Sequence, residues 1–150
     1  MIEFDSGSEE ETRELGRRFG EVIAPEILVL LHGDLGTGKT VFVRGVGASL
    51  GINGVRSPSF TLINEYEAES GIRIIHADLY RLNDGSDDSL GLHEYIDDAN
   101  SIVFVEWPER MNVFDSENVI EIFFEALSES ERRIKFSSHG EKAQEVIERL

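Results

Sequence analysis

The fold is decided by the stretch Gly33-Asp34-Leu35-Gly36-Thr37-Gly38-Lys39-Thr40. Its spacing, G-x-x-x-x-G-K-T, is that of a P-loop, in which glycines let several backbone N–H groups converge on one phosphate. An apolar run, Ile27–Leu31, precedes the stretch, and a segment able to form a helix, Val41–Leu50, follows it. A helix N-terminus at this point adds partial positive charge. The spacing therefore predicts that residues 33–40 form a phosphate-binding loop between a strand and a helix.

Two side chains of this stretch carry chemistry beyond phosphate binding. Lys39 can reach the β- and γ-phosphates of a nucleotide, and the hydroxyl of Thr40 can bind Mg²⁺. The alternative is a glycine-rich turn that binds nothing. Both glycines, the lysine, the hydroxyl and the flanking elements occur together, which disfavours that alternative.

The composition limits the class of protein. A chain of 150 residues with 40% hydrophobic residues fits one domain, residues 1–150, with a sizeable core. The absence of cysteine excludes thiol catalysis and zinc–thiolate sites and suits a reducing compartment. No apolar run reaches the roughly 18 residues of a membrane span, and no signal peptide is evident, so we expect a cytoplasmic protein. The formal net charge of −16 argues against direct binding of nucleic acid.

The hydrophobic pattern predicts alternating strands and helices. We expect an α/β fold, a single P-loop NTPase-like domain whose mixed parallel and antiparallel sheet is flanked by helices. The predicted strands lie at residues 1–4, 27–31, 63–67, 72–77, 101–105, 118–125 and 132–137. Helices are predicted after the N-cap Ser8, at 41–50, within 90–97 and at 141–150.

Two acidic residues follow apolar strands, where the carboxylates of P-loop hydrolases usually lie. These are Asp78 and Glu106. The strand before Glu106 is the more apolar, so it is the expected neighbour of the P-loop strand. This favours Glu106 as the acid beside the metal and Asp78 as the acid beside the attacking water, although the roles could be exchanged.

Other candidate residues are less specific. The hydroxyls of Ser59 and Thr61 could reach the γ-phosphate or the metal, as in a switch loop, or could serve turn chemistry. His76 and Asp78 form a His-x-Asp pair on one strand face, but no third metal ligand is evident. A packed or hydrogen-bonded His76 is therefore the favoured interpretation.

Four motifs together resemble one family. They are the P-loop, Ser57-Pro58-Ser59-Phe60-Thr61-Leu62, Asp78-Leu79-Tyr80-Arg81-Leu82 and Val105-Glu106-Trp107-Pro108. In this order and spacing they are similar to the TsaE (YjeE) family of bacterial P-loop ATPases of threonylcarbamoyladenosine tRNA modification. The resemblance spans nearly the whole chain. Ser59 stands where the family typically has Thr, which keeps the hydroxyl.

The resemblance implies a function. Members of the TsaE family bind and slowly hydrolyse ATP with Mg²⁺, and they act on the TsaD and TsaB proteins, so tRNA is met only through that complex. It implies Thr40 and Glu106 as metal ligands, Asp78 as the catalytic or water-orienting acid and Thr61 in a switch-like loop. Together with Lys39 of the P-loop, Asp78 and Thr61 are the expected catalytic residues.

Two other functions of P-loop proteins fit the sequence less well. A small-molecule or nucleotide kinase of the P-loop class would need an acceptor pocket, often with an arginine-bearing lid, and the chain has no spare length for one. A GTP-dependent switch would need an Asn/Thr-Lys-x-Asp motif to read guanine, and none is present.

Overall fold

The computed structural model describes residues 1–58, 62–80, 91–110 and 116–150. The strands are β1 (Ile2–Ser6), β2 (Leu28–His32), β3 (Ile63–Glu67), β4 (Arg73–Asp78), β5 (Ser101–Glu106), β6 (Val119–Ala126) and β7 (Arg132–His139). The helices are α1 (Glu9–Val22), α2 (Lys39–Ser49), α3 (Leu92–Ile96) and α4 (Glu141–Arg149), with a 3₁₀ turn at Pro108–Arg110. No helix among these residues is long and apolar enough to cross a bilayer.

The described strands form one sheet in the order β1-β7-β6-β2-β5-β4-β3. Strands β6, β2, β5 and β4 are parallel neighbours, whereas β1, β7 and β3 pair antiparallel at the two sides. The predicted mixed sheet is confirmed, and so is the position of β5 beside the P-loop strand β2. β5 is buried along its whole length, as its continuous apolar sequence predicted.

The two faces of the sheet are covered differently. Helices α1, α2 and α4 pack on one face and bury a large aromatic and aliphatic core, in which Phe19, Phe42 and Phe136 have no exposed surface. On the other face, Leu92 of α3 packs on residues of β2, β4 and β5. The larger core fixes the position of α2, and therefore of the loop that leads into it.

Glycines allow α1 and α2 to cross at very short distance. A Cβ atom on Gly16 would lie 2.1 Å from the carbonyl oxygen of Phe42, and one on Gly45 would lie 2.0 Å from that of Arg13. Any larger residue would force the helices apart. This close packing brings the N-terminus of α1, capped by Ser8, beside the P-loop.

Candidate functional site

The glycine-rich stretch forms the connection between β2 and α2. Gly33 and Gly38 have φ angles of 148° and 102°, which residues with a side chain rarely adopt. A Cβ atom on Gly33 would also lie 2.8 Å from the carbonyl oxygen of Phe124. The hydroxyl of Thr37 donates a hydrogen bond of 2.7 Å to the carbonyl of Asp34 and closes the loop on itself. The helix begins at Lys39, two residues earlier than predicted, so Lys39 and Thr40 lie in its first turn.

Lys39 is buried at the centre of the site, with only 4% of its surface exposed. Its Nζ atom donates to the carbonyl of Gly33 at 2.6 Å and lies 3.8 Å from Oε1 of Glu106. The same atom is 4.5 Å from the centre of the Trp107 ring. Burial lowers the pKa of Lys39 below its usual value, and the charges of Glu106 and Asp78 oppose that shift without cancelling it. A bound anion at this point would favour the protonated amine.

The two strand-end acids lie side by side. Asp78 and Glu106 are register partners on β4 and β5, and both are buried. Strand alternation places them on the sheet face that packs against α2, together with His76. The carboxylate of Asp78 accepts a hydrogen bond of 2.9 Å from the backbone N–H of Tyr80. The structure therefore brings both acids to the end of the sheet where the P-loop lies, as their sequence positions predicted.

His76 contacts Glu106 directly. Its Nε2 atom lies 2.5 Å from Oε2 of Glu106, and no part of the imidazole is exposed. The interpretation of His76 as a hydrogen-bonded residue is confirmed. Within the described ranges no group of three His, Cys, Asp or Glu residues could hold a metal ion by itself.

The loop and the acids line one cleft of about 690 Å³, within the usual size range of small-molecule sites. Of the predicted site residues, its lining includes Leu35, Gly36, Gly38, Lys39, Thr40, Asp78 and Glu106. Ser57 of the second motif also lines it, whereas Thr61 and Ser59 lie outside the described residues. Gly33, Asp34 and Thr37 are not part of this lining. They fix the conformation of the loop through the positive φ angle of Gly33 and the hydrogen bond from Thr37 to Asp34.

The cleft extends to two segments that carry no recognisable motif. One is the N-terminus of α1, with Ser8, Glu10 and Thr12, and the other is the β6–β7 hairpin, with Glu129 in its turn and Arg132 at the start of β7. The only sequence signal at the first segment is the helix cap, confirmed by the hydrogen bond of 3.1 Å from the N–H of Glu11 to Ser8.

Arg132 ties the β6–β7 turn to the P-loop. Its guanidinium donates to the carbonyl of Gly36 at 3.1 Å and to the carbonyl of Ser128 at 2.8 Å. This contact joins residues 96 positions apart in the chain. The backbone of the P-loop at Gly36 is therefore held by a residue of β7.

The fold and the cleft define an α/β protein with a P-loop-like strand–loop–helix at its centre. The family model of the threonylcarbamoyl adenosine biosynthesis protein TsaE matches residues 6–134. The chain therefore belongs to the TsaE family, as its four motifs predicted.

Individual relatives agree with this assignment. A tRNA threonylcarbamoyladenosine biosynthesis protein TsaE of Bacillus subtilis (strain 168) is 34% identical over 94% of this chain and 88% of its own. Its counterpart in Aquifex aeolicus (strain VF5) is 37% identical over 85% of this chain and 90% of its own. The counterpart in Nostoc sp. is 46% identical over 74% of this chain and 70% of its own.

A solved structure is similar as well. The crystal structure of Bacillus subtilis YdiB superimposes with a TM-score of 0.78 at 27% identity, covering 98% of this chain and 91% of that chain. The similarity in fold thus extends beyond the P-loop to nearly the whole domain.

Proposed function

We propose that this protein is a Mg²⁺-dependent ATPase that acts in threonylcarbamoyladenosine modification of tRNA, with residues 1–150 forming a single ATPase domain. Its place of action is the cytoplasm, and its hydrolysis cycle drives a complex of TsaD and TsaB. One observation carries the proposal: Lys39, Thr40, Asp78 and Glu106, from three separate segments, line a single cleft. Family membership supports the pathway.

The donor atoms in the cleft suit a nucleotide with its metal. Thr40 offers a hydroxyl and Glu106 a carboxylate, both oxygen ligands of the kind Mg²⁺ prefers. Mg²⁺ commonly uses one or two protein ligands and completes its shell with phosphate oxygens and water. The lack of a three-residue metal cluster among the described residues is compatible with that mode of binding. When bound, the ion would neutralise charge on the transferred phosphoryl group.

The side chains divide the remaining tasks. Lys39 binds the phosphate chain, and burial makes its charge effective because water screens it little. Asp78 orients or deprotonates the attacking water, and Glu106 holds the metal. Thr61 belongs to the segment that responds to the γ-phosphate.

The nucleoside lies against the part of the cleft lined by α1 and the β6–β7 turn. The loop holds the phosphates at the start of α2, so the rest of the ligand must extend along the remaining lining. Ser8, Glu10 and Glu129 belong to that lining. Their hydroxyl and carboxylate oxygens can accept hydrogen bonds from the ribose and from an exocyclic amine of the base.

Reconstitution tests the function. The purified chain is combined with TsaD, TsaB, threonylcarbamoyl-adenylate, tRNA and ATP·Mg²⁺, and modified tRNA is counted per complex. We expect multiple turnovers that require both this chain and hydrolysable ATP. Modification at the same rate without the chain, or with a non-hydrolysable analogue, contradicts the proposal.

A second measurement tests how the protein meets tRNA. The formal net charge of −16 opposes binding to a polyanion. We expect negligible binding of tRNA by the isolated chain, and binding only when TsaD and TsaB are present. A tight, salt-sensitive complex of tRNA with the chain alone contradicts indirect contact.

A further inference from the structure

We propose that His76 is a positioning residue, which holds one carboxylate oxygen of Glu106 so that the other is presented to the metal. The inference rests on the proposed function, in which Glu106 is a metal ligand. Neither the P-loop nor the strand-end acids require a histidine at this place.

The two oxygens of the Glu106 carboxylate face different partners. Oε2 lies 2.5 Å from Nε2 of His76, whereas Oε1 lies 3.8 Å from Nζ of Lys39, in the cleft. His76 lies on β4 two residues before Asp78, which is the register partner of Glu106. The imidazole therefore contacts Glu106 from deeper within the sheet. The hydrogen bond thus fixes the orientation of the carboxylate and leaves Oε1 on the cleft side.

The two ring nitrogens of His76 have different surroundings. The Nδ1 atom is buried and has no hydrogen-bond partner among the described residues. Nε2 is the ring nitrogen that contacts a partner, the carboxylate of Glu106, and an N–H at that position donates to it. Second-shell partners of metal-binding side chains orient their ligands by hydrogen bonds of this kind.

Packing alone does not explain a histidine at position 76. His76 is completely buried on a sheet face otherwise apolar at this depth, where Ile74 and Phe104 are also fully buried. Replacing a buried polar pair with well-packed apolar groups is often neutral for stability or even favourable. The contact with Glu106 is thus a feature that a purely structural residue would not need.

Without His76, the carboxylate has another partner close by. Glu106 could turn toward Lys39, since Oε1 and Nζ already lie 3.8 Å apart. A closer ion pair would draw Oε1 toward Nζ and away from the metal. The hydrogen bond from His76 opposes that rearrangement and keeps Oε1 available as a metal ligand.

Two amide variants test the inference, because they differ in reach but retain a donor. In His76→Gln the amide nitrogen can extend to about the position of Nε2, whereas in His76→Asn it is too short. His76→Leu removes the donor altogether. Ile74→Val is the control, since Ile74 lies two residues earlier on the same face and strand and pairs in register with Ile102, four residues before Glu106 on β5.

The readout is nucleotide binding, followed through the fluorescence of Trp107, the only tryptophan, whose ring lies against Lys39. ATP affinity is measured without metal and as a function of Mg²⁺, and denaturant midpoints report folding. We expect His76→Leu and His76→Asn to need about tenfold more Mg²⁺ to reach half of the Mg²⁺-dependent gain in ATP affinity. This is the lower end of the loss in metal affinity that is usual when a hydrogen-bond partner of a metal ligand is removed. Metal-free affinity should stay within about twofold, and His76→Gln and Ile74→Val should resemble wild type.

The opposing results are distinct. Unchanged Mg²⁺ dependence in a folded His76→Asn or His76→Leu, or equal loss in His76→Gln and His76→Asn, overturns the inference and leaves the proposed function standing. If His76→Leu does not fold, the comparison of the two amides decides. A wild-type chain that binds no nucleotide with or without Mg²⁺ overturns the proposed function and this inference with it.

Discussion

Asp78 and Glu106 are register partners at the carboxyl ends of the parallel strands β4 and β5, with both side chains buried on the α2 side of the sheet. Two neighbouring buried carboxylates would repel each other unless positive charge lies close by. Lys39 supplies part of that charge, at 3.8 Å from Glu106. Glu106 is held on two sides, by Lys39 and by His76, which supports its role as the acid beside the metal.

The first prediction separates those roles. We expect Glu106→Gln to raise the Mg²⁺ concentration needed for tight ATP binding by about tenfold or more, because a charged oxygen ligand is lost. Asp78→Asn should leave that concentration within about twofold and lower kcat by about a hundredfold, since general acid–base groups contribute at least this much. Calorimetric titrations with and without Mg²⁺, together with turnover rates, provide the measurement. The reverse pattern would exchange the two roles.

The second prediction concerns the charge on Lys39. Lys39→Ala removes a buried cation that would pair with phosphate, an interaction worth about 1.5–3 kcal/mol. ATP affinity should therefore fall by at least about tenfold, and hydrolysis should be lost. Lys142→Ala serves as the matched control, because Lys142 is exposed and paired with Glu26, away from the cleft lining. Equal affinities of the Lys39 variant and wild type would refute the P-loop assignment.

The third prediction follows from the lowered pKa of Lys39. Anionic phosphate binds the protonated amine, so affinity is greatest below the pKa of Lys39 in the free protein. The affinity for ATP falls as the pH rises through that pKa. Because the pKa of Lys39 is lowered, this fall occurs at a lower pH than for an unperturbed lysine of pKa about 10.4. Metal-free ATP titrations between about pH 8 and 10 avoid other phosphate ionisations and measure the decline. In Lys39→Arg, whose side chain stays charged, affinity should not change with pH over this range.

The sequence predicted the parts of the site that depend on local rules. Glycine spacing defined the loop, and the apolar run before Glu106 identified the strand beside β2, because a strand buried on both faces must lie inside the sheet. The contacts of Arg132 with Gly36 and of His76 with Glu106 could not be predicted. Each joins distant parts of the chain, and the distance between them is set by tertiary packing.

The fourth prediction tests the contact between Arg132 and the P-loop. Arg132→Gln removes the hydrogen bond to the carbonyl of Gly36, and a hydrogen bond of this type contributes about 1 kcal/mol. We expect ATP affinity to fall about three- to tenfold. Arg133→Gln is the control on the same strand, since Arg133 contacts Glu3 and Asp5 of β1. A similar fall in ATP affinity in both variants would indicate general destabilisation of the β6–β7 hairpin and would contradict a specific role for Arg132.

The fifth prediction concerns the helix crossing that positions the cleft. In Gly45→Ala the new Cβ atom would lie 2.0 Å from the carbonyl oxygen of Arg13, a backbone atom that can move only if α1 moves. We expect the free energy of unfolding to fall by about 1–3 kcal/mol, the usual cost of overpacking. Urea denaturation provides the measurement, and ATP affinity should also decrease because α1 borders the cleft.

Gly47→Ala in the same helix is the matched control. Its Cβ atom would lie 2.8 Å from a methyl group of Val55, which can turn away, and 3.2 Å from the carbonyl oxygen of Ile52, which needs to move only slightly. The gain in helix propensity from Gly to Ala, up to about 1 kcal/mol, should offset much of the strain. The two variants therefore differ in how far the backbone must move. Equal stability of Gly45→Ala and Gly47→Ala would show that the separation of α1 and α2 is not limited by the glycine at position 45.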